Sequence, residues 1–176
     1  MNPNPVMDSE PRQTAVLEQK KVLIVDDDEA VREAIGSVLR HAGYQALQSG
    51  DGQDALAAFD PKQIDLLLLD LNLPNKSGWD AFEAFTNLNP MLPVIIITGQ
   101  ARQSEMARAA GVGALMEKPL DVAQLLQTME ELLNEPEEAR LRRLCGYNQD
   151  SRFKPRYIPS GSTTEETDQK PKKDSH

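Results

Sequence analysis

The chain has a single cysteine, Cys145, which excludes an intramolecular disulfide framework and a cysteine-based zinc cluster. It has no apolar run near the roughly 20 residues of a helical membrane span. Residues 1–20 are polar, with three prolines and no apolar segment of the kind a secretory leader needs. It also lacks an excess of positive charge. The formal net charge is -9, and residues 20–134 alone carry 9 basic against 17 acidic side chains. A body that acidic does not bind nucleic acid by bulk attraction to phosphates. A soluble protein of a reducing, cytoplasmic setting, with no membrane partner, is the expectation.

What is present is concentrated. Hydrophobic residues make up 39% of the 176, enough for one core, and they gather between Lys20 and Leu133. Apolar runs at 22–25, 66–69 and 94–97, and a weaker one at 113–116, show no polar alternation. Such runs read as strands of a parallel sheet buried on both faces. Each closes on a chemically useful residue: Asp26, Asp27 and Asp28 after the first, then Asp70, Thr98, and Lys118 followed by Pro119. In an open parallel sheet, ligands bind beyond the carboxyl ends of the strands. The spacing therefore predicts carboxylates, a hydroxyl and an ammonium at one edge, a grouping suited to magnesium-assisted phosphoryl chemistry.

Helical patterns separate the strands, at 28–42, 52–59, 79–88 and 103–110, with a last one after Asp121. Tyr44 opens a weaker second strand near an edge, and Gly43 and Gly111 are placed to end helices. Phe82, Phe85 and Leu88 read as the inward face of the third helix. Val122, Leu125, Leu126, Met129, Leu132 and Leu133 read as that of the fifth. Alternating strands and helices mean right-handed crossovers and a sheet covered on both sides.

Magnesium takes oxygen ligands and usually only one or two carboxylates. Asp27 and Asp70 can supply them, and a cation explains why several acids are tolerated at one edge. A carboxylate with a free oxygen can attack phosphorus and form an acyl phosphate. Thr98 and Lys118 offer a hydroxyl and a point charge to the oxygens of the transferred group. Asp28 reads as a helix cap or an exposed helix acid, His41 as a surface residue at a helix end, Trp79 as packing or a lid, and Cys145 as an ordinary thiol.

Over about 115 residues the chain resembles the receiver domain of two-component response regulators. The resemblance rests on Val25-Asp26-Asp27, Asp70-Leu71-Asn72-Leu73-Pro74, Thr98-Gly99 and Lys118-Pro119-Leu120, in that order. It implies a flavodoxin-like α/β fold: five βα units in a doubly wound parallel sheet of strand order 2-1-3-4-5. It makes Asp70 the phosphoacceptor, in a signalling domain that is not itself a classical enzyme. Asp27 and Asp70 would bind Mg2+ or Mn2+, Asp26 would do so through water, and the Asn72 backbone carbonyl would complete the protein ligands. Thr98 and Lys118 would bind the phosphoryl group, and Lys118-Pro119 would be cis. Asn72 and Gln100 would tune loss of the phosphoryl group. Where the family often has Tyr or Phe three residues before the lysine, this chain has Leu115, so an aromatic readout is not available. The implied donor is a histidine kinase or a histidine phosphotransfer protein, and the downstream protein is unspecified. Asn72 also argues against an aspartate-nucleophile phosphatase, which typically needs an acid two residues after the nucleophile.

Three regions follow: a flexible arm at 1–19, the receiver at 20–134, and a short helix with a basic, largely disordered tail at 135–176. Arg140, Arg142 and Arg143, with Tyr147, Phe153 and Tyr157 beyond, raise a second reading. In it the tail is an output arm for nucleic acid or a protein partner. It is too short and too broken by Pro and Gly for a helix-turn-helix. A stand-alone receiver that signals to a protein is the leading reading. Phosphorylation-dependent dimerisation is left open.

Overall fold

The structure, a computed structural model, describes residues 19–74, 77–99, 103–145 and 153–154. In chain order the elements are β1 (Lys21–Val25), α1 (Glu29–His41), β2 (Gln45–Ser49), α2 (Gly52–Ala57), β3 (Leu66–Asp70) and α3 (Gly78–Leu88). They continue with β4 (Val94–Thr98), α4 (Ser104–Ala109), β5 (Ala114–Glu117), α5 (Val122–Leu133), α6 (Glu137–Leu144) and β6 (Phe153–Lys154). The sheet is parallel throughout, in the order β2-β1-β3-β4-β5-β6. Its first five members have the order 2-1-3-4-5 of a flavodoxin-like sheet.

Burial follows the sequence pattern. Every residue of β3 and β4 is buried, whereas β2, at the rim, is half exposed. Side chains alternate between two cores. Leu23, Val25, Leu67, Leu69 and Ile96 meet Phe82 and Phe85 of α3 on one face. Val22, Ile24, Leu66, Leu68, Ile95 and Ile97 meet Ile35 and Leu39 of α1 and Leu125, Met129 and Leu132 of α5 on the other. Each fully buried Leu or Ile contributes about 1.5–3 kcal/mol by leaving water.

Local chemistry sets the element ends. Asp28 caps α1 by accepting from the amides of Ala30 and Val31, and Asp121 caps α5 by accepting from that of Gln124. Gly43, after α1, has φ of 89°, a left-handed conformation open to glycine at little cost. The register of β3 against β4 sets Asp70 opposite Ile97, and that of β4 against β5 sets Thr98 opposite Glu117. The carboxyl ends of the central strands therefore finish side by side.

Two apolar assignments need correction. Leu88 is 54% exposed: it is the last residue of α3, and Leu92 in the following turn joins the core beside Phe85. Val122, 47% exposed at the first turn of α5, faces an open apolar groove. That groove, about 500 Å³, is walled by Val31, Ile35 and Val38 of α1 and by Leu120 and Leu125.

Residues 135–144 pack on the body. Arg143 and Glu135 are both buried, and their side chains pair at 2.8 Å. Arg143 also donates to the carbonyl of Gly111, just ahead of β5. Arg140 donates to the carbonyls of Met91 and Leu132, each at 2.9 Å. These two arginines are thus turned inward, which removes them from any basic output patch. The aromatic-basic stretch, read from sequence as part of a largely disordered tail, contributes β6 at the sheet edge. Among the described residues no helix is long and apolar enough to cross a membrane.

Candidate functional site

Four strand ends build the site. Asp26 follows β1 directly, and its amide donates to the Ser49 carbonyl at the end of β2 (3.2 Å). The side chain is turned in and 1% exposed, so Asp26 is not a solvated helix-start acid. Asp70 ends β3 and is 2% exposed. Lys118 bridges them, its Nζ lying 2.8 Å from Asp26 Oδ2 and 2.6 Å from Asp70 Oδ2. The other oxygens are held by backbone: Asp26 Oδ1 accepts from the Asp28 amide at 3.0 Å, and Asp70 Oδ1 from the Asn72 amide at 2.9 Å.

Two buried acids and one ammonium leave excess negative charge. Burial pushes the Asp26 carboxyl above its ordinary pKa, more than the hydrogen bonds from Lys118 and the Asp28 amide pull it down. For Lys118, burial lowers the pKa, but hydrogen bonds and charge attraction from Asp26 and Asp70 outweigh it and hold the ammonium above its usual range. One carboxylate oxygen from each of Asp26, exposed Asp27 and Asp70 lies within 4.8 Å of the other two. Hard, closely set oxygens with an unneutralised charge fit a divalent cation of the magnesium type.

Thr98 is fully buried at the end of β4, and its carbonyl accepts from the Lys118 amide at 2.8 Å. The Lys118-Pro119 peptide is cis. Asn72 lies in the turn after β3, its side-chain nitrogen 3.8 Å from where a Cβ on Gly99 would stand, so the Asp70 and Thr98 turns adjoin. Leu115 is buried within β5, three positions before the lysine. Asp26, Asp27, Asp70 and Lys118 are thus gathered directly, with Thr98 and Asn72 on adjoining turns. Gln100 lies outside the described residues. Trp79 packs edge-on against Phe82 at 5.7 Å and donates to Gln103 at 3.3 Å, a packing role.

Sequence reasoning missed two contributors. Arg32, in the first turns of α1, donates to the Asp26 carbonyl at 2.6 Å and braces the acidic turn. Its only signal was a cation six residues past Asp26. Gly78 opens α3 against the turn that follows Asp70: a Cβ there would come within 2.3 Å of Leu71 Cα and 2.6 Å of the Asp70 carbonyl oxygen. The loop-ending glycine was visible, but the close approach behind it was not.

Known proteins agree with this architecture. The family profile described as the response regulator receiver domain matches residues 22–130. The chain belongs to the response regulator receiver domain family. This receiver is 33% identical over 116 residues to the probable transcriptional regulatory protein TcrX of Mycobacterium tuberculosis, covering 64% of this chain and 49% of that protein. It is 36% identical over 116 residues to the sensory transduction protein RegX3 of Mycolicibacterium smegmatis, covering 64% and 50%. The chain therefore spans about half the length of these relatives. Among solved structures, a CheY-like receiver domain protein from Methanospirillum hungatei JF-1 superposes with a TM-score of 0.63 at 30% identity, covering 68% of this chain and 98% of that one. As a receiver the domain serves signalling, not classical enzyme turnover.

Proposed function

We propose that this receiver accepts a phosphoryl group on Asp70 from a phosphohistidine, on a histidine kinase or a histidine phosphotransfer protein. It then acts as a stand-alone cytoplasmic module that signals to a protein partner. The carrying observation is the contact of buried Asp70 with Lys118, beside a second buried acid, at the carboxyl edge of a parallel sheet. In the transfer, an Asp70 carboxylate oxygen forms a bond to phosphorus while the phosphorus–nitrogen bond of the donor breaks. The imidazole leaves with the electron pair and takes up a proton.

Asp26, Asp27, Asp70 and the Asn72 carbonyl would hold a magnesium or manganese ion, which supplies positive charge to the oxygens in flight. Lys118 neutralises one acid now and turns to a phosphoryl oxygen afterwards, with the Thr98 hydroxyl as a second donor. Asn72 in place of an acid leaves no general acid for rapid hydrolysis, so the acyl phosphate persists, with Asn72 and Gln100 setting its lifetime. New bonds worth a few kcal/mol suffice to invert a two-state loop population.

The test is phosphorylation by acetyl phosphate with magnesium, read by intact mass. The expected result is one phosphoryl group on the wild type and none on Asp70→Asn. Equal labelling of the two proteins overturns the assignment. Withholding magnesium from the wild type should abolish the gain.

A further inference from the structure

At the rim of the sheet away from β5, β2 is the outer strand, and among the described residues nothing but β1 pairs with it. Its bonding pattern is fixed at both ends. The Gln45 amide donates to the Lys20 carbonyl at 2.9 Å, and the Ser49 carbonyl accepts from the Asp26 amide at 3.2 Å. In a parallel pair that pattern turns the backbone groups of residues 45, 47 and 49 toward β1. The N–H and C=O of Ala46 and Gln48 therefore point outward.

Such an edge templates further pairing, and proteins ordinarily protect it with Lys, Pro or a bulge. This one has none of the three. It runs in unbroken register with β1, and residues 45–50 carry no charged side chain, in a body with 17 acidic and 9 basic side chains over residues 20–134. Two copies of an acidic chain can meet there without like charges face to face. Leu47, at the middle, is 38% exposed and walls an open cavity of about 380 Å³ with Ala58, Phe59 and Ile64.

Charge on α1 supports the same pairing. The helix lies over β2: a Cβ on Gly36 would collide with the Gln48 side chain, and Arg32 covers Gly50. It is acidic in its first turn at Glu29 and basic in its last at Arg40 and His41. A two-fold axis normal to the sheet sets the α1 helices of two copies antiparallel on one face. Arg40 of each then lies toward the Glu29 and Glu33 end of the other. Within one copy the Arg40–Glu33 pair is exposed and 3.6 Å long, so it gives way readily.

We propose that the outer edge of β2 is the contact between two copies of this chain, paired antiparallel about a two-fold axis through Leu47. Only this register uses both outward residues: Ala46 of each copy exchanges its backbone hydrogen bonds with Gln48 of the other. Leu47 then faces Leu47 as a non-hydrogen-bonded pair, the arrangement that brings side chains closest. Because Ser49 ends the paired strand and its carbonyl holds the Asp26 amide, the contact adjoins the acidic turn. The inference stands on backbone pairing and charge, and does not require phosphate on Asp70.

In the full chain, sedimentation velocity should show a reversible dimer forming at or below about 1 mM. Leu47→Lys sets two like charges on the axis and should weaken association by about tenfold or more. Gln48→Pro removes an outward N–H that β1 does not use, so the monomer should keep its circular dichroism while the dimer weakens similarly. With Cys145→Ser as background, Leu47→Cys should give an intermolecular disulfide on mild oxidation. The Cα atoms of such a pair stand about 4.5 Å apart, within disulfide reach. Gln45→Cys in the same background lies opposite Ser49, not itself, and should link about tenfold more slowly. A wild type still monomeric at about 1 mM overturns the proposal. So does a dimer indifferent to both edge substitutions, which places the contact elsewhere. A Gln45→Cys link as fast as that of Leu47→Cys rejects the register and the proposal with it.

Discussion

The Lys118 ammonium is shared between two acids, but its shorter contact, 2.6 Å, is with Asp70, the carboxylate read as the acceptor. The lysine therefore masks charge at the atom group that must stay reactive. Because its own amide is tied to the Thr98 carbonyl, movement of its side chain is felt at the β4–β5 junction. Lys118→Ala should leave phosphate acceptance measurable but uncouple the response. Amide shifts around Leu115 and α5 on phosphorylation should largely vanish, as seen in two-dimensional NMR spectra with acetyl phosphate. Without metal the variant also loses stability. The loss should sit at or below the low end of the roughly 3–5 kcal/mol for breaking a buried pair, since Lys118 is part exposed.

Asp26 gives a pH signature. Its carboxyl is raised by burial, so the folded chain holds that proton more tightly than the unfolded chain. The favourable contribution is complete below the ordinary carboxylate value and is lost as pH rises through the raised one. In chelator, wild-type stability from urea unfolding should decline, relative to Asp26→Asn, as pH rises above the ordinary carboxylate value. The variant should be the more stable protein at pH 7. Magnesium should reverse that order, because it restores charge balance only where the acid remains. Parallel curves for the two proteins would remove Asp26 as the strained group.

Much of the site was legible because Asp26, Asp27, Asp70, Thr98 and Lys118 each lie within two residues of the end of an apolar run. A strand buried on both faces leaves its carboxyl-terminal neighbour at the ligand-binding edge whatever the rest of the chain does. Thr98, Asp70 and Lys118 could be placed for that reason alone. What could not be read depended on partners distant in sequence. Arg140 and Arg143 look like cations for solvent until Met91 and Gly111 present carbonyls to them. Leu88 and Val122 fit an apolar stripe by spacing, yet each sits at a helix end where the sheet no longer covers it. β6 is set by pairing with β5, a contact that two residues of local sequence cannot announce.

Gly78→Ala should damage the turn after Asp70 without touching a charged group. The added methyl would meet backbone atoms of Leu71 and Asp70, which have no rotamer by which to yield, and the Gly78 amide also donates to the Leu71 carbonyl at 3.1 Å. Forcing the turn outward should cost about 1–3 kcal/mol, the usual penalty of overpacking. It should also slow phosphate uptake from acetyl phosphate, as Asp70 shifts relative to Lys118. Wild-type uptake at full occupancy of the fold would show that the turn tolerates the methyl.

Arg143→Ala tests whether α6 is part of the folded unit. The guanidinium satisfies the buried Glu135 carboxylate and the Gly111 carbonyl together, so its removal strands an acid and an acceptor away from water. Arg140, 3.5 Å from Glu135, compensates in part. The expected loss is therefore near the low end of the roughly 3–5 kcal/mol for breaking a buried pair, read from urea unfolding. Pairing the change with Glu135→Gln removes the stranded charge and should recover a good part of the loss, which simple loss of packing would not. Amide exchange should rise at 111–114, where the helix is anchored, and stay unchanged in β1. A loss below about 0.5 kcal/mol, typical of a surface substitution, would mean that the helix only rests on the domain.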